Sequence, residues 1–446
     1  MHFEKIFKAY DVRGIYPSDI NEAMVARIGE AYVAIRQPGK IAVGQDVRNS
    51  GQALKQQLID ALIASGVDVV DIGVITTDQL YFAVGEYGYD GGISVTASHN
   101  PGEYNGLKFS EKGGAPISSQ TLSAIRDWAA SDNKSTSSKT GDLSTQDILG
   151  DYVKHVLSYI DTSSIKPLKV VANANFGAAG RGVDKIASKL NLELERLNWQ
   201  EDGSFPKGPP NPLLPENRDE TIAAIKAAKA DLGVAWDADA DRCFFFAGDG
   251  TFVPSAYIIA LLAPEFLKKS PGSKIVHDVT TAWVMDEAIK AAGGVPLMNR
   301  TGHTFMKARM REEDAPFAGE SSGHYYFRDS FYADNGIVPF LMILQMVSVS
   351  GKSLKDLVTP LMDNYKVSGE INFTVADPAK AIKLVETKLG GQGKIDKTDG
   401  LIIETDKWRA SVRPSNTEPL FRLNAEARDQ QTLDKLVKEI SALINT

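Results

Sequence analysis

The sequence predicts a multidomain α/β protein: three related α/β domains with mixed, mostly parallel sheets, then a smaller C-terminal α+β domain. Three observations predict it. The chain has 446 residues, too many for one compact core and enough for three or four domains. Three segments each run strand, helix, strand, helix, strand, polar loop, and such alternation implies parallel sheets covered by helices. From about Lys366 the repeat stops, and strands follow one another between two helices. The domains are expected at 1–147, 148–253, 254–365 and 366–446.

In the first segment the strand Lys40–Val43 precedes a helix with Leu54, Leu58, Ala61 and Leu62 on one face. Val67–Ile72, a helix near Asp78–Tyr87 and Ile93–Thr96 then lead into a polar loop at Ser98. The second segment opens on Leu168–Val171 and continues through a helix ending near Leu190 and the strand Leu192–Leu197. An Ala-rich helix, Asp219–Ala230, follows, then Leu232–Trp236 and an acidic loop. The third has Ser273–Val276, a helix near Trp283–Ala292, Val295–Met298, a helix Thr304–Arg311, Pro316–Ala318 and the loop Gly319–His324. Ligands bind beyond the carboxyl ends of such strands, so three equivalent loops are candidate site elements. Ser131–Asp147 reads as a solvated link, and Asp202–Arg218, with five prolines, as a stiff extended loop. The last part shows Ile371–Val375, a helix Pro378–Leu389, strands Gly400–Thr405, Trp408–Val412 and Leu420–Ala425, and a final amphipathic helix through Leu433 and Leu443.

Composition narrows the function. Hydrophobic residues make up 43% and charged residues 24%, as in ordinary globular chains. Lys plus Arg number 49 and Asp plus Glu 57, a net charge of −8, which argues against nucleic acid or an anionic membrane as partner. The single cysteine, Cys243, rules out an internal disulfide and reads as a small core residue beside Phe244–Phe246. The first residues show no basic segment followed by an apolar core, so no secretion signal is expected, and the most apolar run, Ile337–Leu344, is too short for a membrane span and reads as a buried helix. A cytoplasmic location is expected.

Five loops carry candidate chemistry. Thr96-Ala97-Ser98-His99-Asn100-Pro101 follows a buried strand, and Pro101 stops that strand from continuing. Alone, Ser98-His99-Asn100 also fits an ordinary turn, so its role depends on what converges on it. Asp237, Asp239 and Asp241 place three carboxylates at alternate positions, a mutual repulsion that a divalent cation resolves. Arg242 and Gly248 exclude an EF-hand loop, and three carboxylates leave open positions of the kind Mg²⁺ keeps when it also binds phosphate. Gly319-Glu320-Ser321-Ser322-Gly323 matches a hydrolase elbow in form, yet the only later His is His324, with no acid between. Glu320 and Ser322 suit sugar hydroxyls better, with His324 as a proton carrier or a structural histidine. Arg413-Pro414-Ser415-Asn416-Thr417, closed by Pro419, offers donors to an anion or forms a tight turn. Lys8-Ala9-Tyr10-Asp11-Val12-Arg13-Gly14 presents Tyr10 and Arg13 in a short loop. Neither Ser350–Ser353 nor Gly177–Gly182 has the spacing of a nucleotide site.

Taken in order, these five loops resemble the α-D-phosphohexomutase superfamily, in its bacterial phosphomannomutase/phosphoglucomutase branch, over the whole chain. The resemblance implies four domains around a central cleft and interconversion of hexose 1-phosphate and hexose 6-phosphate, of mannose, glucose or both. It implies that Ser98 is the phosphorylated serine and that Asp237, Asp239 and Asp241 bind Mg²⁺ together with its phosphate. Glu320 and Ser322 resemble the sugar-contacting pair, and Arg413, Ser415, Asn416 and Thr417 the site for the substrate's own phosphate. Tyr10, Arg13, Lys108, Arg242, His303 and His324 match polar positions lining the cleft. The base is Lys108 or His324, with Arg13 assisting, and hexose 1,6-bisphosphate is the expected intermediate and activator. Small hexose phosphates are the expected partners of a monomer or weak homodimer. Two departures stand out: Thr280 occupies an often basic position, and Ser321 replaces the commoner Met. Phosphoglucosamine mutation, or a Mg²⁺-dependent sugar-phosphate phosphatase, are the alternatives.

Overall fold

The computed structural model describes residues 2–135, 137–415 and 420–445. The chain forms two compact units. One comprises the chain up to Phe252 together with His324–Leu354; the other comprises Val253–Gly323 together with the chain from Lys355.

The three repeats are present, and each builds the same parallel core. Lys40–Gln45 lies between Asp68–Val74 and Gly91–Val95; Leu168–Asn173 lies between Leu192–Leu197 and Leu232–Trp236; Lys274–Asp278 lies between Val295–Asn299 and Phe317–Gly319. In every case the first strand is central, its two successors flank it, and the third runs into a polar loop.

The central strands and those that lead into the loops read as apolar runs because both faces are covered, whereas the outer strands Leu192–Leu197 and Val295–Asn299 are partly exposed. In the first domain Ile41, Val43, Val69, Ile93 and Val95 share one core with helices Glu22–Arg36, Gly51–Ala64 and Ser119–Ala130. The alternate residues Ala42, Val70 and Ile72 pack instead with Thr77–Glu86. Two antiparallel strands extend this sheet beyond the repeat, Tyr104–Glu111 against Gly91–Val95 and Val12–Ile15 against Tyr104–Glu111. In the second domain Cys243–Ala247 adds antiparallel to Leu232–Trp236, with Cys243 fully buried.

The expected solvated link is not wholly irregular. Leu143–Thr145 joins the first sheet as a parallel edge beside Asp68–Val74, although all three residues are exposed. Backbone pairing, with no buried apolar side chain, makes that strand, so no hydrophobic pattern marks it. The run expected to be a buried helix is Ile337–Ser350. No single helix among the described residues is long and apolar enough to cross a membrane.

The C-terminal domain is an antiparallel sheet ordered Lys366–Val367, Phe421–Ala427, Trp408–Pro414, Leu401–Glu404, Lys394–Asp396. Alternate residues Leu401, Ile403, Ala410, Val412, Phe421 and Leu423 pack against helices Pro378–Leu389 and Gln430–Ile444. The intervening positions Arg409, Ser411, Arg413, Asn424 and Glu426 are polar, yet they are buried too. They are covered within the same unit. Glu426 accepts from the backbone N–H of Ala282 at 2.7 Å and Trp283 at 3.0 Å, capping helix Trp283–Ala291. Arg409 pairs with Glu426 at 3.2 Å and donates to the carbonyls of Val279 and Thr280. Removing one partner of such a pair would leave a buried charge uncompensated, at a cost of about 3–5 kcal/mol. The third and fourth domains are thus tied through a charged contact.

Candidate active site

The first unit gathers the phosphoserine candidate, the acidic triad and four basic side chains. Ser98 follows the buried strand Gly91–Val95 in a left-handed conformation with φ +51°, and it is 2% exposed. Its Oγ donates to Asp237 Oδ2 at 3.1 Å and lies 3.2 Å from His99 Nδ1. Its N–H donates to Thr96 Oγ1 at 3.0 Å. His99 thus touches the hydroxyl itself.

Asp237, Asp239 and Asp241 are all buried, and one oxygen from each lies within 4.8 Å of the others. They follow Leu232–Trp236, so a strand end delivers all three. Lys108, on Tyr104–Glu111, donates to Asp239 Oδ2 at 2.8 Å and to Asp241 Oδ2. Asp239 Oδ2 also accepts from Thr77 Oγ1 at 2.6 Å, while Asp239 Oδ1 is buried with no hydrogen bond. Arg242 Nε is 3.7 Å from Asp237 Oδ2, and His324 Nε2 is 3.4 Å from Asp241 Oδ1. The strand-like bridge between Arg242 and His324 holds those two side chains at the triad.

Burial sets the charge of this cluster, and neighbours divide it. Burial, reinforced by Asp241 and Asp239, pushes the Asp237 carboxyl well above the usual range. Burial acts the same way on Asp241, but Lys108, His324 and Arg242 outweigh it and hold that carboxyl well below. For Lys108 burial favours the neutral amine, yet Asp239 and Asp241 prevail and hold the ammonium protonated. A site with one oxygen without a partner, one suppressed charge and three converging carboxylates fits a divalent cation.

Arg13 donates to Asn100 Oδ1 at 2.5 Å and to Asp11 Oδ2 at 2.5 Å, which places it on the Ser98 loop. Tyr10 is half-buried and within electrostatic reach of both Arg13 and Arg242.

The second unit holds the other group. Glu320 is 1% exposed and accepts from the N–H of Gly302 at 2.7 Å, fixing it against the turn that starts helix His303–Glu313. His303 is half-buried at that turn. The same turn meets the C-terminal domain: Thr301 N–H donates to Asp399 Oδ2 at 3.0 Å, and Arg413 Nε lies 3.7 Å from that oxygen. Glu320, His303 and Arg413 are thereby gathered in one unit. Ser322, close after Glu320 in the chain, is half-buried, and Ser415 is held by its N–H to Leu420 O at 2.7 Å. Asn416 and Thr417 lie outside the described residues.

Two departures from the expected pattern take structural form. Ser321 donates from N and Oγ to Asp278, at 2.8 and 3.1 Å, anchoring the Glu320 loop to the end of Lys274–Asp278. Thr280 is buried, and its carbonyl accepts from Arg409.

Sequence reasoning missed Arg48. It is 1% exposed and lies under the Ser98 loop, donating to the carbonyls of Ser98, Asn100, Pro101 and Tyr104. The only sequence signal is a charged pair, Asp46 and Arg48, directly after a buried strand.

Family models described as phosphoglucomutase/phosphomannomutase alpha/beta/alpha domains I, II and III match residues 4–136, 150–250 and 254–365, and the C-terminal domain matches 370–443. The chain is 46% identical to the phosphohexose mutases of Xanthomonas campestris pv. campestris, with 98% of each chain covered. It is 44% identical to a phosphomannomutase of Salmonella montevideo over 99% of each. Among solved structures, a phosphoglucomutase/phosphomannomutase family protein from Burkholderia thailandensis superposes with a TM-score of 0.89 at 32% identity, covering 99% of this chain and 97% of that one.

Proposed function

The chain belongs to the phosphoglucomutase/phosphomannomutase family and is a phosphohexomutase, and on that premise we propose that Ser98 carries the phosphoryl group it moves. The observation that supports this reading is the Ser98 hydroxyl, 3.1 Å from Asp237 inside a buried triad that Lys108 bridges.

Phosphoryl transfer asks mainly for positioning and neutralised charge. Mg²⁺ bound by Asp237, Asp239 and Asp241 with the Ser98 phosphate would supply Lewis-acid neutralisation of that phosphate. In the forward step the P–Oγ bond of phosphoserine breaks as phosphorus bonds to a free hydroxyl of the hexose phosphate. The product is a hexose 1,6-bisphosphate, and the hydroxyl's proton passes to a base. Lys108 enters as an ammonium, so it suits the acid that returns a proton to Ser98 Oγ. His324 is then the base, with the Asp241 carboxylate 3.4 Å away to balance the charge the ring gains. Arg13 and Arg242 offset charge on the moving group, with Tyr10 beside them. After the bisphosphate turns around, Ser98 recovers a phosphoryl from its other end. Glu320, Ser322 and His303 would read ring hydroxyls, and Arg413, Ser415, Asn416 and Thr417 would hold the phosphate that is not transferred. Contacts to ring hydroxyls and one fixed phosphate pocket admit both orientations; contacts to one end alone would not.

Mannose and glucose phosphates are the proposed substrates. Coupled assays on mannose 1-phosphate, glucose 1-phosphate and glucosamine 1-phosphate test this, with released inorganic phosphate measured alongside. The expected kcat/KM favours mannose or glucose over glucosamine by at least about tenfold, with little phosphate released. Preference for glucosamine 1-phosphate, or phosphate released in step with turnover, would replace this reading with one of the alternatives.

A further inference from the structure

We infer that Arg48 is a positioning residue for phosphoryl transfer: backed by Phe205, its guanidinium sets the backbone on which Ser98 stands. The inference rests on the reading that Ser98 carries the phosphoryl group.

A guanidinium has five N–H donors in a fixed planar fork, and Arg48 uses all five. Nε bonds Asp46 Oδ2 at 3.1 Å. Nη1 bonds the carbonyls of Pro101 at 2.6 Å and Tyr104 at 2.9 Å, and Nη2 bonds those of Ser98 and Asn100, each at 2.7 Å. Four carbonyls of one seven-residue loop are thus turned toward a single rigid plane. Ser98 needs such a hold, because its φ of +51° is a conformation that a residue with a Cβ adopts only when its surroundings impose it. Asp46 completes the support: it accepts from Arg48 N–H at 2.9 Å and from Thr96 Oγ1 at 2.8 Å, and Thr96 Oγ1 in turn accepts from Ser98 N–H.

The other side of the guanidinium is closed by the second domain. The Phe205 ring centre lies 5.0 Å from Arg48 Cζ. Phe205 belongs to the proline-rich loop, which approaches so closely that two glycines are required. A Cβ on Gly203 would lie 2.3 Å from Val47 O and 2.6 Å from Arg48 Cα, and one on Gly102 would lie 2.9 Å from Ser204 O. The long loop between the second domain's strands therefore presses Arg48 against the loop that carries Ser98.

Lysine keeps the charge but has neither the planar fork nor five donors, so Arg48→Lys loosens the loop without stripping the site of a cation. Full-length Arg48→Lys, Phe205→Leu and Ser98→Ala are compared with wild type. The readouts are Ser98 phosphorylation by glucose 1,6-bisphosphate in a single turnover, kcat and KM for glucose 1-phosphate, the ³¹P signal of phosphoserine and thermal melting. Arg48→Lys is expected to slow Ser98 phosphorylation and kcat by about 10²-fold, Phe205→Leu by about tenfold, with KM changed less than about threefold and the ³¹P signal shifted or broadened. A folded Arg48→Lys that phosphorylates Ser98 at the wild-type rate overturns the inference. If Arg48→Lys fails to fold, Phe205→Leu decides: slowed transfer at unchanged KM supports it, and wild-type transfer overturns it. Turnover retained in Ser98→Ala would instead remove the phosphoserine reading itself, so the two failures are told apart.

Discussion

Ser98→Ala is expected to lower mutase turnover by roughly 10⁴-fold or more, the scale seen when a covalent carrier is removed from an enzyme. The hydroxyl is the group the proposed chemistry turns on: Asp237 and His99 both address its Oγ, and without that oxygen the phosphoryl has no ester to occupy on this loop. The loss should fall on kcat. Glu320 and Arg413 are held by partners in the second unit, Gly302 N–H and Asp399, which the substitution leaves untouched. Titration of Ser98→Ala with glucose 1-phosphate should therefore give nearly the wild-type affinity, and the fold should survive loss of one hydroxyl. A coupled assay showing turnover close to wild type would refute the assignment.

Removing divalent cation should abolish turnover, and Mg²⁺ should restore it. The reason is the charge pattern of the triad. Three buried carboxylates with oxygens within 4.8 Å repel one another, and burial first, then Asp241 and Asp239, drives Asp237 toward its neutral form. A bound cation requires the ionised form, so binding releases a proton and tightens as pH rises. The stability consequence has a definite sign. A carboxyl whose folded-state pKa is raised contributes stability that is present below its unfolded pKa and lost as pH rises through the folded value. The Asp237 contribution should therefore fall as pH rises through its raised folded value, while Asp241, buried but held low by Lys108, acts with the opposite sign in the acid range; Mg²⁺ at 100 times its dissociation constant should add about 2.7 kcal/mol. Melting curves from acid to neutral pH, with and without Mg²⁺, should show a gap that widens with pH. A gap that narrows, or full activity after exhaustive chelation, would contradict the metal assignment.

The Ser98 loop and the triad stood out in the sequence as candidates because each is a short local pattern, although Ser98 alone fitted an ordinary turn and its proposed role came from the resemblance. A hydroxyl loop closed by Pro101 and three carboxylates at alternate positions stand out against the apolar strands before them. The three parallel cores were legible for the same reason: strands buried on both faces read as unbroken apolar runs, such as Leu232–Trp236. What escaped depends on distant partners. Tyr104–Glu111 mixes Asn105, Gly106, Lys108 and Ser110 among its apolar residues, so it lacks both a buried run and a clean alternation, yet it supplies Lys108. Leu143–Thr145 pairs through backbone alone. Arg48 looks like part of a solvated loop, Val47-Arg48-Asn49-Ser50, until folding brings onto it four carbonyls from 50 or more positions along the chain. Buried polar residues on the sheet face of the C-terminal domain are equally silent in the sequence. Glu426 has meaning only once the N–H groups of Ala282 and Trp283 face it.

Phosphoserine 98 is proposed to donate its own phosphoryl group to the sugar. The direct measurement starts from enzyme carrying ³²P on Ser98, mixed in a single turnover with unlabelled glucose 1-phosphate and quenched in time. Label is expected to leave Ser98 and appear first in glucose 1,6-bisphosphate, then in the hexose monophosphates. Label that stays on the protein while product forms, or that departs as inorganic phosphate, would contradict it.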